Sequence, residues 1–208
     1  MATGEALPFT FRNLARRRSP EESCELCGAA VSKNHAHLVE IEQRRIMCAC
    51  AACAILFNEN TRRFRRIPSQ VWTIPQGRIT DAHWSALGIP INLAFLFRSS
   101  PNGQLIAQYP SPGGGIESVP PQDVWPQMLA DEPRLEHLEN DVQALLVNRL
   151  TEPYEYLIAP IDRCFELIGL VRLHWQGFTG GTKLQKEVRT FFDRLRAEAK
   201  VIEERRNA

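Results

Sequence analysis

The residues best suited to chemistry are five of the six cysteines, which lie between positions 24 and 53. They form two C-x-x-C pairs about two dozen residues apart, Cys24 with Cys27 and Cys50 with Cys53. This spacing is typical of a four-thiolate metal site, because each pair binds from one tight turn and the intervening segment brings the pairs together. We predict these four cysteines as metal ligands.

Three other residues in the same stretch compete for places around the metal. Cys48 is the alternative ligand, because a fifth thiol lies two residues before the second pair. His35 and His37 are less favoured, although imidazole binds zinc as well as thiolate does. Histidines on a hairpin arm more often face solvent or support a ligand from behind.

Zinc is the metal that we expect, because closed tetrahedra of thiolates are mostly zinc sites. Iron is the alternative, since C-x-x-C-G also begins a rubredoxin knuckle and iron–sulfur clusters use thiolates. The second pair is followed by Ala54 rather than glycine, which weakens the rubredoxin interpretation. Reduced cysteines without any metal are the least favoured interpretation at this spacing.

The elements that must position these ligands form a finger over residues 23–60. Gly28 follows the first pair and permits a positive φ at the end of a knuckle. Residues 37–42 and 44–47 read as the arms of a hairpin, and the second pair opens a short apolar helix. Knuckle, hairpin and helix together predict a treble-clef or zinc-ribbon-like finger.

After the finger, residues 61–200 are predicted to form an α+β domain with an antiparallel sheet and flanking helices. Asn102-Gly103 predicts a hairpin turn, and Thr80 can cap a short helix that ends at Leu87. Asp123 is the expected cap of a further helix. The predicted strands are 64–74, 91–97, 104–109, 141–149 and 154–161.

Two segments near the C-terminus differ in how clearly they can be interpreted. Residues 165–175 fit both the alternation of a strand and helical spacing, and we favour a strand. Thr182 and Gln185 form a capping box for the clearest helix of the chain, predicted from Lys183 to about Ile202. Its apolar stripe indicates core packing.

Charge and composition limit the classes of function. The chain has 208 residues, 44% hydrophobic and 24% charged, with a formal net charge of +1. The N-terminal arm comprises residues 1–22 and the tail residues 201–208. Residues 1–66 carry a net charge of +4 and residues 181–208 one of +3, and an arginine cluster lies at 62–66. A nucleic-acid-binding zinc finger is therefore an alternative, but the near-neutral net charge makes nucleic acid an improbable partner.

No motif of a known catalytic class is present, so we expect a protein without enzymatic activity. The sequence has no stretch of eighteen apolar residues and no signal peptide at its N-terminus, so we expect no membrane span. Clustered cysteines in chelating pairs suit a reducing compartment, which predicts a cytoplasmic protein.

Several motifs are distributed along the chain and form a specific set. They are the C-x-x-C-G at 24–28, C-x-C-x-x-C at 48–53, Tyr109-Pro-Ser-Pro, Leu145-Leu-Val-Asn-Arg149, Pro160-Ile-Asp162 and Trp175-x-Gly177-x-x-Gly180-Gly181. This set resembles a bacterial family of unknown function whose genes often lie beside those of nickel–iron hydrogenases. The similarity runs from about residue 24 to 196, and it implies an accessory or adaptor role in hydrogenase assembly, maturation or electron transfer. The implied partner is a hydrogenase subunit or maturation factor, and no catalytic residue can be carried over.

Overall fold

A computed structural model describes residues 22–59, 63–75, 78–176 and 181–202. The chain is an α+β protein with one small and one large sheet. Within the described ranges, no helix is both long and apolar enough to cross a membrane. The predicted arm up to residue 21, the tail from residue 203, Arg62 and residues 177–180 lie outside the described residues.

The small sheet belongs to the finger and has the strand order β2-β1-β3. β1 and β2 are the predicted hairpin, and the positive φ of 50° at Arg44 turns the chain between them. β3 pairs antiparallel with β1, so the sheet of the finger continues past residue 60. These elements are β1 (Ala36–Glu40), β2 (Arg45–Ala49), α1 (Ala51–Glu59) and β3 (Phe64–Arg66).

The large sheet has seven strands in the order β10-β4-β9-β8-β5-β6-β7. Every neighbouring pair is antiparallel except β10 and β4, which are parallel. The strands are β4 (Trp72–Ile74), β5 (Leu93–Arg98), β6 (Leu105–Ser111), β7 (Gly114–Ser118), β8 (Gln143–Asn148), β9 (Glu155–Pro160) and β10 (Lys200–Val201).

Helices cover both faces of the large sheet, which gives three layers and two separate cores. Alternation along β5 directs Phe95 into the core beneath α4 and α5, and Leu96 into the core beneath α2 and α3. The central strands are buried on both faces for this reason. The helices are α2 (Asp81–Ala86), α3 (Val124–Asp131), a 3-10 helix (Pro133–His137), α4 (Ile161–His174) and α5 (Gly181–Glu198).

The prediction of a strand over residues 165–175 is wrong, because this segment is most of helix α4. Leu167, Ile168 and Val171 are buried at helical spacing, whereas Leu173 is 77% exposed although alternation placed it on the buried face. The large sheet must be covered on the face of Phe95, and a helix crosses that face where another strand could not.

Three helix predictions can be compared in detail. The Thr80 cap is confirmed, since its hydroxyl accepts from the His83 N–H at 3.3 Å and the His83 ring accepts from the Thr80 N–H at 3.2 Å. Asp123 occupies the N-cap position of α3, as predicted, but its side chain makes no capping hydrogen bond. α5 begins at Gly181 and ends at Glu198, short of Ile202, because the chain then pairs with β4 as β10.

Candidate metal centre

The sulfur atoms of Cys24, Cys27, Cys50 and Cys53 all lie within 4.8 Å of one another. The Sγ atoms of Cys27 and Cys50 are 3.8 Å apart. A tetrahedral ion with metal–sulfur bonds of about 2.3 Å places its ligands ~3.8 Å from one another. The four cysteines could therefore hold one metal ion with little movement, and they are the four predicted from the spacing.

The first pair is held by a knuckle closed with backbone hydrogen bonds. The Cys24 N–H donates to the Ala29 carbonyl at 2.7 Å, and the Gly28 N–H donates to the Cys24 carbonyl at 2.8 Å. Gly28 has a φ of +76°, a conformation that costs glycine little and a side chain more. The knuckle thus turns back on itself and presents both thiols on one side.

The second pair is held by the start of α1. Cys50 precedes the helix, and its carbonyl accepts from the Ala54 N–H at 2.9 Å. Its Sγ accepts a 3.5 Å hydrogen bond from the Cys53 N–H, as the oxygen of a capping side chain does.

The knuckle and the hairpin are joined through Glu25. Its N–H donates to the Cys48 carbonyl at 2.9 Å, and its carboxylate accepts from the Cys48 N–H at 2.7 Å. These bonds fix the first cysteine pair against β2, which leads directly into the second pair. Residues 23 positions apart in the chain are thereby brought together without a large apolar core.

Burial and hydrogen bonding shift the pKa values of Cys24, Cys27 and Cys53 in different directions. Burial raises the pKa of Cys24, but hydrogen bonds from the backbone of Cys50, Leu26 and Cys27 outweigh it and lower the pKa to about 6. Burial and the neighbouring thiols raise the pKa of Cys53 to about 12. One thiolate is therefore favoured near neutral pH, and a metal ion would have to displace the proton of Cys53.

The cluster is open to solvent on one side. Cys24 and Cys53 are buried, whereas Cys27 is exposed and Cys50 is half-buried. A bond from the Ala29 N–H lowers the pKa of Cys27, but the neighbouring thiols Cys24 and Cys50 raise it above its ordinary value. Cys27 is thus the ligand most accessible to an incoming ion or to a chelator.

The alternative ligands predicted from the sequence form a separate group. One ligand atom each of His35, His37 and Cys48 lies within 4.8 Å of the others. Cys48 is the cross-strand partner of His37, which places both side chains on one face of the hairpin. The opposite face carries Leu38 and Ala49, which pack with the four-cysteine cluster.

The sixth cysteine lies outside both groups, and two carboxylates that contact these groups were not predicted from the sequence. Cys164 is fully buried in the core beneath α4, and burial raises its pKa well above the ordinary value. Asp162 and Glu25 were not predicted as part of any site. Asp162 contacts His37 from 125 residues away, and no local spacing indicates such a contact.

Two arginines of the basic cluster beside the finger, Arg63 and Arg65, form ion pairs within the protein. Arg63 donates twice to one oxygen of buried Glu40, at 2.9 and 2.7 Å. Arg65 donates to the Glu139 carboxylate at 3.0 Å and to the Asn140 carbonyl at 2.7 Å. These arginines lie on or beside the edge strand β3 and attach it to the rest of the protein.

Comparison with known proteins shows the family but gives no function. A model of DUF5947, a family of unknown function, matches residues 23–199, and the chain therefore belongs to this family. No curated protein and no solved structure matches the chain. The matched range begins at the cysteine knuckle and ends with α5.

Proposed function

We propose that this DUF5947 protein is a non-catalytic accessory or adaptor protein whose N-terminal part is a treble-clef finger held by structural zinc. The observation that carries the proposal is the convergence of four cysteine sulfurs within 4.8 Å. Knuckle, hairpin and helix follow one another in the order of a treble clef. Clustered cysteines without disulfides suit a reducing compartment, so we place the protein in the cytoplasm.

Zinc is proposed because the cluster offers four thiolates and no oxygen ligand, and closed sites of this kind are mostly zinc. The core around the cluster is small: among the residues that the structure describes, its buried members are Leu38, Ala49 and Ala54 besides the cysteines Cys24 and Cys53. Such a core cannot by itself hold the finger together. Metal binding would supply the missing stability.

The partner is proposed to be a protein, and the family resemblance points to a subunit or maturation factor of a nickel–iron hydrogenase. Helix α1 supports a docking role, because Ile55 and Leu56 are 57% and 66% exposed beside the metal ligands. Adjacent apolar side chains on a helix held by metal form a rigid surface that a partner can cover. Arg63 and Arg65 are paired with carboxylates, which gives nucleic acid no comparable support.

An electron carrier with iron at the same cysteines is the second candidate. The observation that favours it is the exposure of Cys27, because electron transfer requires a cluster near the surface. Zinc and iron have similar bond lengths to sulfur, so the separation of the sulfurs does not distinguish them.

Metal analysis and a visible spectrum of protein purified without oxygen test the proposal. We expect a colourless protein that contains zinc, and we expect Cys24→Ser to lose the zinc held by the four cysteines. Iron with thiolate charge-transfer bands would support the electron carrier instead. A protein that neither contains nor takes up metal would refute both candidates.

The docking role needs a separate experiment with purified hydrogenase subunits and maturation factors. We expect the double variant Ile55→Glu with Leu56→Glu to lose binding while it keeps its metal. Leu173→Glu is the matched control, because Leu173 is a 77% exposed apolar residue on α4. Equal binding by both variants would show that α1 is not the docking surface, and no binding by the unmodified chain would refute the hydrogenase proposal.

A further inference from the structure

The two faces of the hairpin border two different groups of potential metal ligands, the four cysteines on one face and two histidines with Cys48 on the other. Alternation along β1 directs Leu38 towards the four-cysteine cluster and Val39 towards the core of the large sheet. His37 and Cys48 share the face of Val39 and its partner Ile46. His35 precedes β1 by one residue and lies two positions from His37, on the same side.

His35 is held with one ring nitrogen engaged and the other without a partner. Its Nδ1 lies 2.7 Å from the Ser32 carbonyl oxygen. A carbonyl only accepts hydrogen bonds, so Nδ1 carries a proton, and in the neutral imidazole Nε2 carries the lone pair. The side chain is 6% exposed, and Nε2 is buried with no hydrogen-bond partner. A buried nitrogen lone pair without a donor indicates a missing ligand.

His37 is oriented in the same way by a carboxylate. Its Nδ1 lies 2.7 Å from an Asp162 carboxylate oxygen at the start of α4. The carboxylate accepts, so Nδ1 donates, and in the neutral imidazole Nε2 presents a lone pair. Histidines that bind metals are usually supported by a carboxylate or carbonyl in this manner, which fixes the ring and strengthens the ligand. The other Asp162 oxygen accepts from the Arg163 N–H at 2.8 Å.

The two imidazoles meet edge to face, with ring centroids 4.7 Å apart, and the Cys48 sulfur completes the group within 4.8 Å. Two nitrogen lone pairs and one sulfur suit a borderline divalent ion such as Zn²⁺ or Co²⁺. A catalytic Cys–His pair would need only one histidine. The second histidine, with its unpartnered Nε2, therefore favours a metal over a nucleophile.

We propose that His35, His37 and Cys48 form a second metal site, separate from the four-cysteine cluster, which binds a divalent transition-metal ion. Three protein ligands leave one position of a tetrahedron open, as in zinc sites that exchange a water molecule. The ion would be more exchangeable than the one held by four thiolates. Because Asp162 belongs to α4, the second site also links the finger to the large domain.

Cobalt titration of the metal-free full-length protein tests the site. We expect two Co²⁺ per chain, the first with the spectrum of four thiolates and the second with a spectrum of mixed nitrogen and sulfur ligands. The double variant His35→Ala with His37→Ala should bind one Co²⁺ with the four-thiolate spectrum unchanged, which also shows that it is folded. His137→Ala, at an exposed histidine outside both groups, should still bind two. One Co²⁺ in the unmodified chain, or two in the double variant, would overturn the proposal.

Two further measurements do not depend on removing a ligand. Asp162→Asn should weaken the second Co²⁺ by about 10- to 100-fold and leave the first unchanged, because the amide supports His37 less well. In the unmodified chain, Cys48 should react with iodoacetamide after one equivalent of Zn²⁺ and be protected after two. Reaction of Cys48 that depends on His37 but is never slowed by metal would identify a nucleophile and overturn the proposal. If the protein binds metal at His35, His37 and Cys48 but not at the four cysteines, the second site stands and only the proposed four-cysteine zinc site is refuted.

Discussion

Replacement of Cys27 by serine gives the most direct test of how the finger is stabilised. Structural zinc in small fingers binds with an apparent ~10–16 kcal/mol at neutral pH. Divided over four ligands, each thiolate accounts for about 2.5–4 kcal/mol, which corresponds to ~70- to 900-fold in affinity. Cys27 is exposed, so the serine itself creates no cavity and the loss reports on the metal.

The local core shows why this loss should unfold the finger. Within the described ranges, Leu38 is the only large aliphatic side chain among the buried residues of this core, and its burial contributes about 2 kcal/mol. The backbone entropy of ordering the knuckle alone costs ~1–2 kcal/mol per residue. Without metal the apolar contacts therefore cannot hold the knuckle, whereas the large sheet has two extensive cores of its own.

The assay is hydrogen exchange with a parallel metal titration. Cys27→Ser should lose amide protection over residues 24–31 and 51–57, while β5 and β8 keep theirs. Cys48→Ser is the matched control, because its sulfur lies outside the four-cysteine group. This variant should keep the metal of the four-cysteine group and the protection of those segments, and it should lose only the ion of the proposed second site. A Cys27→Ser protein that retains its metal with unchanged affinity and protection would refute the ligand assignment.

Three other predictions concern the packing around the finger and the sheets. Arg63 holds the pKa of Glu40 below its ordinary value of 4.5, so the ionised carboxylate stabilises the fold above pH 4.5 and this stabilisation is lost as the pH falls through the lowered pKa. The free energies of unfolding in urea of the unmodified chain and of Glu40→Gln should therefore differ less in acid than at neutral pH. A difference that does not change with pH would contradict this prediction. Phe95→Ala should cost about 3–5 kcal/mol by denaturant unfolding, because Phe95 is fully buried at the centre of the large sheet; a loss below ~1 kcal/mol would mean that the site collapses around the smaller side chain. Thr80→Ala should cost ~1 kcal/mol through the lost cap of α2, measured by thermal unfolding against Thr80→Ser as control, and equal stability of the two variants would show that the cap contributes nothing.

The sequence by itself determined the elements whose geometry is local. Cysteines three residues apart chelate from one turn, and Gly28 permits the backbone conformation that ends the knuckle. Asn102-Gly103 and Thr80 act within a few residues, so the β5–β6 turn and the start of α2 follow from residue types alone. Four thiols in one cluster were therefore predictable before any fold was known.

The tertiary structure decided which contacts join residues that are distant in the chain. Residues 165–175 satisfy the periods of both strand and helix, and only the uncovered face of the large sheet selects the helix. Cys48 and the two histidines are separated from the four cysteines because the hairpin turns alternate side chains to opposite faces. Asp162 reaches His37 only because α4 begins beside the hairpin, and such contacts depend on the packing of whole elements rather than on spacing.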